Sequence, residues 1–202
     1  ELLQGRGVDR ALYASGRAFE VDAAKMLEKG KLMSIRPHTR FAPFPRHSHN
    51  YVEIMYMCRG KTVHRIDGDA LVTLEAGELL FLNRHASHAI QRADAGDIAV
   101  NFIVLPQFFD EAFNMAGMDN VLSRFLLGEL YTGGAAVSYL HFRVREVLPV
   151  QNLVENMVWT LVNRQPGARR INQVTMGLLL LQLMHYTECI DMSRNGSIRS
   201  PM

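Results

Sequence analysis

Short alternating segments separated by turn residues fill the first half of the chain, and this pattern restricts the fold more than any other feature. Seven segments have the composition and the alternation that are typical of β-strands. They are Lys31–Pro37, Tyr51–Arg59, Lys61–Asp67, Ala70–Leu74, Glu78–Asn83, His88–Arg92 and Asp97–Leu105. So many short strands at near-regular spacing predict a β-sandwich or a β-barrel. Segments such as Leu79–Leu82 are apolar throughout, which indicates strands that are covered on both faces.

Helical periodicity replaces this alternation near residue 105. A short leading helix is predicted over residues 17–30, and four helices with one added strand are predicted after residue 105. The later elements are Gln107–Ala116, Asp119–Tyr131, the strand Tyr139–Arg145, a helix that begins at Pro149, and Arg170–Ile190. Alternation in the strand predicts one buried face and one exposed face that carries His141.

The last predicted helix is apolar on two sides. One stripe comprises Ile171, Val174, Leu178 and Leu181, and the other comprises Leu179, Leu180, Leu183, Tyr186 and Ile190. A helix that is apolar on two sides must be covered on two sides. Either the rest of the domain covers one stripe and a second subunit covers the other, or a neighbouring helix covers both. We expect a homodimer.

Composition excludes several classes of protein. Of 202 residues, 48% are hydrophobic and 21% are charged, which is typical of a globular domain and not of a disordered chain. The net charge is only +2 and no run of four basic residues occurs, so the chain itself is not expected to be a dedicated nucleic-acid binder. Nothing approaches the ~20 apolar residues of a membrane helix. Two distant cysteines and a start without a secretory signal favour the cytoplasm.

A cluster of metal-ligating residue types lies between residues 47 and 60. His47, His49 and Glu53 have even spacing, so one strand would direct all three to the same face. Two imidazoles and a carboxylate suit a divalent transition metal, and His88 is the expected fourth ligand from an adjacent strand. Two interpretations remain open: a metal held by these four residues, or a hydrogen-bonded polar pocket without metal.

This stretch resembles the first cupin motif, H-x-H-x-x-x-E-x(6)-G, which is matched at His47, His49, Glu53 and Gly60. The resemblance implies a mainly β plus α fold, in which a double-stranded β-helix barrel precedes a C-terminal helical dimerisation segment.

A second stretch resembles the second cupin motif, G-x(5)-P-x-G-x-x-H-x-x-x-N, with matches at Gly77 and His88. It departs from that motif at Asn83, His85 and Arg92, where the motif has Pro, Gly and Asn.

The whole chain is similar to the amino-terminal sensing and dimerisation half of AraC-type transcription regulators. The similarity lies in the H-x-H-x-x-x-E-I-x-Y stretch, the Gly-Glu-Leu-Leu-Phe-Leu segment, the Phe-rich helix and the Leu-rich last helix. It implies a small-molecule effector such as a sugar, and DNA binding only through a C-terminal helix-turn-helix domain that is not in this chain. We divide the chain into an N-terminal extension (1–30), a cupin barrel (31–105), a helical segment with one added strand (106–191) and a polar tail or linker (192–202).

The candidate ligand-binding residues are Arg36, His38, His47, His49, Glu53, Met55 and His88. Beyond the four candidate metal ligands, the sequence offers no further acid or base at a spacing that indicates catalysis. We therefore assign no catalytic residue and do not expect an enzyme. The alternative is a metal-dependent cupin enzyme of the isomerase or dioxygenase class, with its metal on the four residues named above. His64 and His85 are expected to face solvent, and His38 is expected to face either the barrel mouth or solvent.

Overall fold

A computed structural model describes residues 8–14, 19–187 and 197–198 of the chain. The strands of the first half are β1 (Glu20–Val21), β2 (Met33–Pro37), β3 (Phe44–His49), β4 (Val52–Arg59), β5 (Lys61–Ile66), β6 (Ala70–Glu75), β7 (Leu79–Leu82), β8 (Ser87–Ile90) and β9 (Ile98–Val104). Later strands are β10 (Tyr131–Thr132), β11 (Ala135–Ala136), β12 (Tyr139–Phe142) and β13 (Ser197–Ile198). The helices are α1 (Ala23–Met26), α2 (Asp110–Ala116), α3 (Val121–Leu127), α4 (Leu148–Val162) and α5 (Ala168–Thr187), with short 3-10 turns at Arg10–Leu12 and Pro106–Phe109.

Two sheets form the barrel. One has five strands in the order β1-β3-β8-β5-β6, and the other has six in the order β13-β12-β7-β4-β9-β2. The prediction of a cupin-type barrel followed by helices is confirmed.

The central strands β4 and β7 of the six-stranded sheet are buried on both faces over most of their length, as their apolar runs predict. Ile54 and Tyr56 of β4 belong to the core that includes helices α2 to α5. Met55 and Met57, which alternate with them, belong to a separate core inside the barrel. Successive side chains of a strand point to opposite faces, so β4 separates the barrel interior from the helical layer.

The predicted helix over residues 17–30 is wrong for most of its described length. Val21 pairs in parallel with His49, so β1 extends the five-stranded sheet there. The helix that does form begins after Asp22, whose carboxylate accepts a hydrogen bond from the Ala24 amide at 2.9 Å. It ends by Leu27, whose backbone is extended. Tertiary pairing therefore overrides the local helical pattern. Residues 17 and 18 lie outside the described residues.

Strand β3 is absent from the prediction because Pro43 and Pro45 are of a residue type typical of turns. The strand contains Pro45, and its pairing with β8 shifts register between Phe44 and His47. A proline cannot donate to the ladder, so it is accommodated at such an irregularity.

Strand β12 is buried on both faces, so the prediction of an exposed face is wrong. It lies beside β7 inside the six-stranded sheet, and His141 is 2% exposed. The imidazole Nε2 of His141 lies 2.8 Å from Glu78 Oε2, which satisfies both buried groups.

The helices after the barrel agree with the prediction in number and order, but α3 is shorter than predicted. Asn120 caps its start, through a hydrogen bond from the Ser123 amide. Gly128 ends it in the left-handed conformation, before the Gly133-Gly134 pair between β10 and β11.

Helix α5 has one covered stripe and one open stripe. Leu179, Leu180 and Leu183 are at most 1% exposed, whereas Ile171, Val174, Leu178 and Leu181 are 39–44% exposed. Ile190, the end of the predicted second stripe, lies outside the described residues. Among the helices of the described part of the chain, none combines the length and apolar character that a membrane crossing requires.

Candidate functional site

The four predicted metal ligands are all buried inside the barrel, and three of them, His47, Glu53 and His88, form a close group, although not by the expected route. His47 and His49 lie on β3, and Glu53 lies on β4, so a single strand does not carry all three. The chain leaves the five-stranded sheet after His49 and enters the six-stranded sheet at Val52. The two facing sheets therefore direct these side chains into the same interior.

His88 completes the group from β8, where it pairs directly with His47. All four side chains are buried, with exposures of 7% or less. Donor atoms of His47, Glu53 and His88 all lie within 4.8 Å of one another. His88 Nε2 is 3.4 Å from Glu53 Oε2, and the imidazole centroids of His47 and His88 are 4.2 Å apart. The His49 ring centroid is 5.7 Å from that of His88.

Backbone carbonyls hold the two histidines of β3 in one tautomer. His47 Nδ1 lies 3.0 Å from the Pro45 oxygen, and His49 Nδ1 lies 2.7 Å from the Tyr51 oxygen. A carbonyl can only accept, so each Nδ1 carries the proton and each Nε2 presents a lone pair. The His49 Nε2 is buried and has no hydrogen-bond partner among the described residues. This arrangement is the one that metal-ligating histidines adopt.

A hydrogen-bond chain holds the carboxylate. Asn101 Nδ2 donates to Glu53 Oε1 at 2.9 Å, and Asn101 Oδ1 lies 2.9 Å from His38 Nδ1. Glu53 Oε2 and both ring nitrogens of His88 are buried without a hydrogen-bond partner in the described part of the chain. Buried polar atoms normally have a partner, so these atoms indicate a site for a ligand, a metal or water.

His64 also lies inside the barrel, and the prediction that it faces solvent is wrong. It is 0% exposed, and its Nε2 is 2.8 Å from the Thr62 hydroxyl. Its ring centroid is 5.6 Å from that of His38 and 6.1 Å from that of His88. The prediction that His85 faces solvent is correct.

The other candidate pocket residues are distributed between the interior and the rim. His38 is expected to face either the barrel mouth or solvent, and its side chain, which is 5% exposed, lies inside the barrel. Met55 is completely buried. Arg36 is exposed on β2 and pairs in register with Asn101, which pairs with Met55. Cross-strand neighbours share a face, so Arg36 lies on the inner face of the sheet at its edge.

Burial keeps the imidazoles of this cluster neutral. Desolvation lowers the pKa of His49 to about 4, and it lowers the pKa of His38 and His47 despite the opposing effect of Glu53. The pKa values of His64 and His88 lie well below the ordinary value for the same reason. Neutral imidazole is the form that binds a metal. A divalent transition ion therefore fits the close donor set of His47, Glu53 and His88.

Comparison with known proteins identifies the barrel. Residues 34–113 match the family model described as the AraC-like ligand binding domain. The match covers 80 of the 202 residues, so the segment from β2 to α2 is similar to that family. The matched segment begins in β2, ends in α2 and contains every candidate pocket residue named above.

Two solved structures of ToxT share the fold of this barrel and the helices that follow it. Apo ToxT from Vibrio cholerae aligns over 83% of this chain and 61% of its own, with a TM-score of 0.59 and 12% identity. A second ToxT structure aligns over 80% and 58%, with a TM-score of 0.50 and 10% identity. A cupin protein from Bacteroides fragilis is 28% identical over 36% of this chain and 64% of its own, with a TM-score of 0.30. No curated protein matches the chain.

Proposed function

We propose that this chain senses a small-molecule effector and dimerises as part of an AraC-type transcription regulator in the cytoplasm, and that it is not an enzyme. The observation that carries the proposal is a buried group of polar atoms that have no hydrogen-bond partner within the described ranges of the chain, inside a barrel that matches the AraC-like ligand binding domain. These atoms belong to His38, His49, Glu53, His64 and His88. Convergent polar groups of this kind fix the orientation of a ligand in small-molecule sites.

A divalent transition ion belongs to this proposal. His47, His49, Glu53 and His88 would hold it, and it would supply a Lewis acid to anchor an oxygen atom of the effector. Support comes from the fixed tautomers of both β3 histidines and from Glu53 Oε2, which has no hydrogen-bond partner among the residues that the structure describes.

The expected result for His49→Ala is loss of the metal, because the ligands act together. Elemental analysis of the purified variant tests this, with His185→Ala as a matched control because His185 is exposed on α5. Stoichiometric metal in His49→Ala would reject the four-residue assignment.

The effector is proposed to be a small hydroxylated metabolite such as a sugar. A hydroxyl group both donates and accepts, so it can pair with imidazole nitrogens of either kind. Candidate contacts are Arg36 at the rim, His38 and His64 inside, and Met55 on the apolar wall, together with the four proposed metal ligands.

A thermal-shift screen led by monosaccharides tests the sensor proposal. A ligand that binds the folded state stabilises it by ~2.7 kcal/mol at a hundredfold excess over Kd. At ~2–4 °C per kcal/mol for a domain of this size, the midpoint should rise by roughly 5–10 °C. The stabilising compound is then incubated with protein and metal and recovered for mass and NMR analysis. Unaltered ligand supports a sensor.

The second candidate function is a metal-dependent cupin enzyme, which the cluster of His47, Glu53 and His88 favours. The same incubation separates the two functions. Turnover of the recovered compound that disappears in Glu53→Gln establishes the enzyme and rejects the sensor.

DNA binding is proposed to require a helix-turn-helix domain that is not in this chain, and the present chain covers 61% of the ToxT chain it resembles. The reading frame of the source gene tests this directly. The isolated chain should bind DNA weakly and without sequence preference, since its net charge is only +2. A sequence-selective nanomolar complex at physiological salt would contradict this part of the proposal.

A further inference from the structure

We propose that Asn101 and His38 are positioning residues that hold the Glu53 carboxylate in the geometry needed to bind a metal. This inference rests on the metal site proposed above. It assigns Asn101, which no sequence motif indicates, and it gives His38 a role that acts through Asn101 and Glu53.

The direction of each hydrogen bond follows from the chemistry of the groups. An ionised carboxylate only accepts, so the Asn101 amide nitrogen must face Glu53 Oε1, at 2.9 Å. The amide oxygen of Asn101 then faces His38 Nδ1 at 2.9 Å, and His38 donates to it. The chain of bonds runs from His38 through Asn101 to Glu53.

The backbone places Asn101 where it can perform this task. Asn101 lies on β9 opposite Met55 of β4, while Glu53 is two residues before Met55 on the same inner face. The Asn101 side chain therefore reaches Glu53 diagonally across two neighbouring strands. One carboxylate oxygen is held in this way, and Oε2 is left 3.4 Å from His88 Nε2.

The contacts of His38 favour a positioning role. Its Nε2 is buried without a hydrogen-bond partner among the described residues, so the bond to Asn101 is its one side-chain hydrogen bond there. Groups that orient metal ligands in this way change metal affinity by about 10–100-fold when they are removed.

The test measures binding of metal alone to the full chain. Zn²⁺ affinity is determined by calorimetry, and the visible absorption of bound Co²⁺ reports the geometry of the site. Asn101→Leu should weaken Zn²⁺ binding by about 10–100-fold and change the Co²⁺ spectrum. His38→Leu should weaken binding in the same direction. His38→Asn retains a donor near the position of Nδ1 and should recover most of the affinity.

Two further measurements separate positioning from a general loss of structure. Because both residues act in one chain of bonds, adding His38→Leu to Asn101→Leu should cause little further loss of affinity. His185→Leu, an exposed histidine on α5, should leave affinity unchanged. Circular dichroism checks that each variant is folded, and Asn101→Ser replaces Asn101→Leu if the latter is not.

Unchanged Zn²⁺ affinity and an unchanged Co²⁺ spectrum in the folded Asn101 variant overturn the inference. So do additive losses from the two substitutions, or an equal loss in His185→Leu. If the unsubstituted chain binds neither ion, the metal site proposed above is itself rejected and the positioning role is rejected with it. The wild-type titration therefore distinguishes the two failures.

Discussion

Replacement of Leu178 by glutamate should convert a dimer of this chain into monomers. Leu178 is 44% exposed at the centre of the open stripe of α5, which also contains Ile171, Val174 and Leu181. Positions separated by three, seven and ten residues lie on one helix face, so the stripe is continuous. A second copy of the chain is the proposed cover.

The magnitude follows from the exposed fractions. Full burial of a Leu side chain contributes ~1.5–3 kcal/mol, so covering the exposed 44% of Leu178 contributes ~0.7–1.3 kcal/mol per copy. A two-fold interface buries both copies, which doubles the contribution to ~1.3–2.6 kcal/mol. Loss of this burial alone weakens dimerisation by roughly 10–80-fold, at 1.4 kcal/mol per tenfold. The four stripe residues together supply ~5–10 kcal/mol, which is comparable with the ~4–15 kcal/mol cost of association.

Light scattering and sedimentation velocity at micromolar concentration measure the effect against one chain of 22.8 kDa. Leu71→Glu is the control, since Leu71 is 58% exposed on β6, in the barrel sheet remote in sequence from α5. Leu180→Glu is unsuitable because Leu180 is 1% exposed, and an unpaired buried charge destabilises the fold itself. An unsubstituted chain that is monomeric at these concentrations, or a Leu178→Glu variant that remains a dimer, refutes the reasoning.

Two further predictions concern stability. Gly77→Ala should lower the free energy of unfolding, measured in urea, by more than Gly68→Ala does. Both glycines have positive φ, but only at Gly77 would an added Cβ clash, since it would lie 2.7 Å from Arg145 Cβ. Equal losses in the two variants would contradict this. Glu78→Gln should reduce stability at pH 7 and have progressively less effect below about pH 4.5. Burial raises the pKa of Glu78, but hydrogen bonds from His141 and the Glu75 amide outweigh it and hold the pKa below the ordinary 4.5. A lowered pKa stabilises the fold above the unfolded value, and this stability is lost as pH falls through the folded value. Urea unfolding from pH 3 to 7 measures the difference, and a difference independent of pH would contradict the assignment.

The barrel could be predicted from sequence because its strands are short and are bounded by turn residues, as at Arg59-Gly60 and Ala76-Gly77. The inward position of His64 could also be predicted from the sequence. In β5, Thr62, His64 and Ile66 alternate with Lys61 and Arg65, and burial follows this alternation. Because His64 is two residues before the apolar Ile66, the alternation indicates that His64 also points inward, although a lone histidine next to Arg65 suggests a surface position.

Other features depend on contacts between distant segments that no local pattern contains. Strand β3 forms despite Pro45 because β1 and β8 pair with it on either side. The role of Asn101 follows from the register of β9 against β4, and one residue of slip would place it on the opposite face. The even spacing of His47, His49 and Glu53 predicted that the three side chains share one side, but for the wrong reason. They face the same interior because they lie on two facing sheets and not on one strand.

Strand β4 connects the candidate site to the helical layer, because its two faces belong to the barrel interior and to the helical core. Glu53 faces the barrel interior, and the Tyr56 hydroxyl on the opposite face donates to Gln151 Oε1 of α4 at 2.8 Å. Gln151 Nε2 in turn donates to the Gly77 and Val144 carbonyls, each at 2.8 Å, which ties α4 to the turn before β7. Helix α4 packs against α5, which carries the open stripe. In the proposed sensor, an effector that changes the position of Glu53 therefore moves a strand whose other face is hydrogen-bonded to the helical layer proposed to dimerise. Coupling requires that this layer has two arrangements and that the effector binds one of them more tightly than the other.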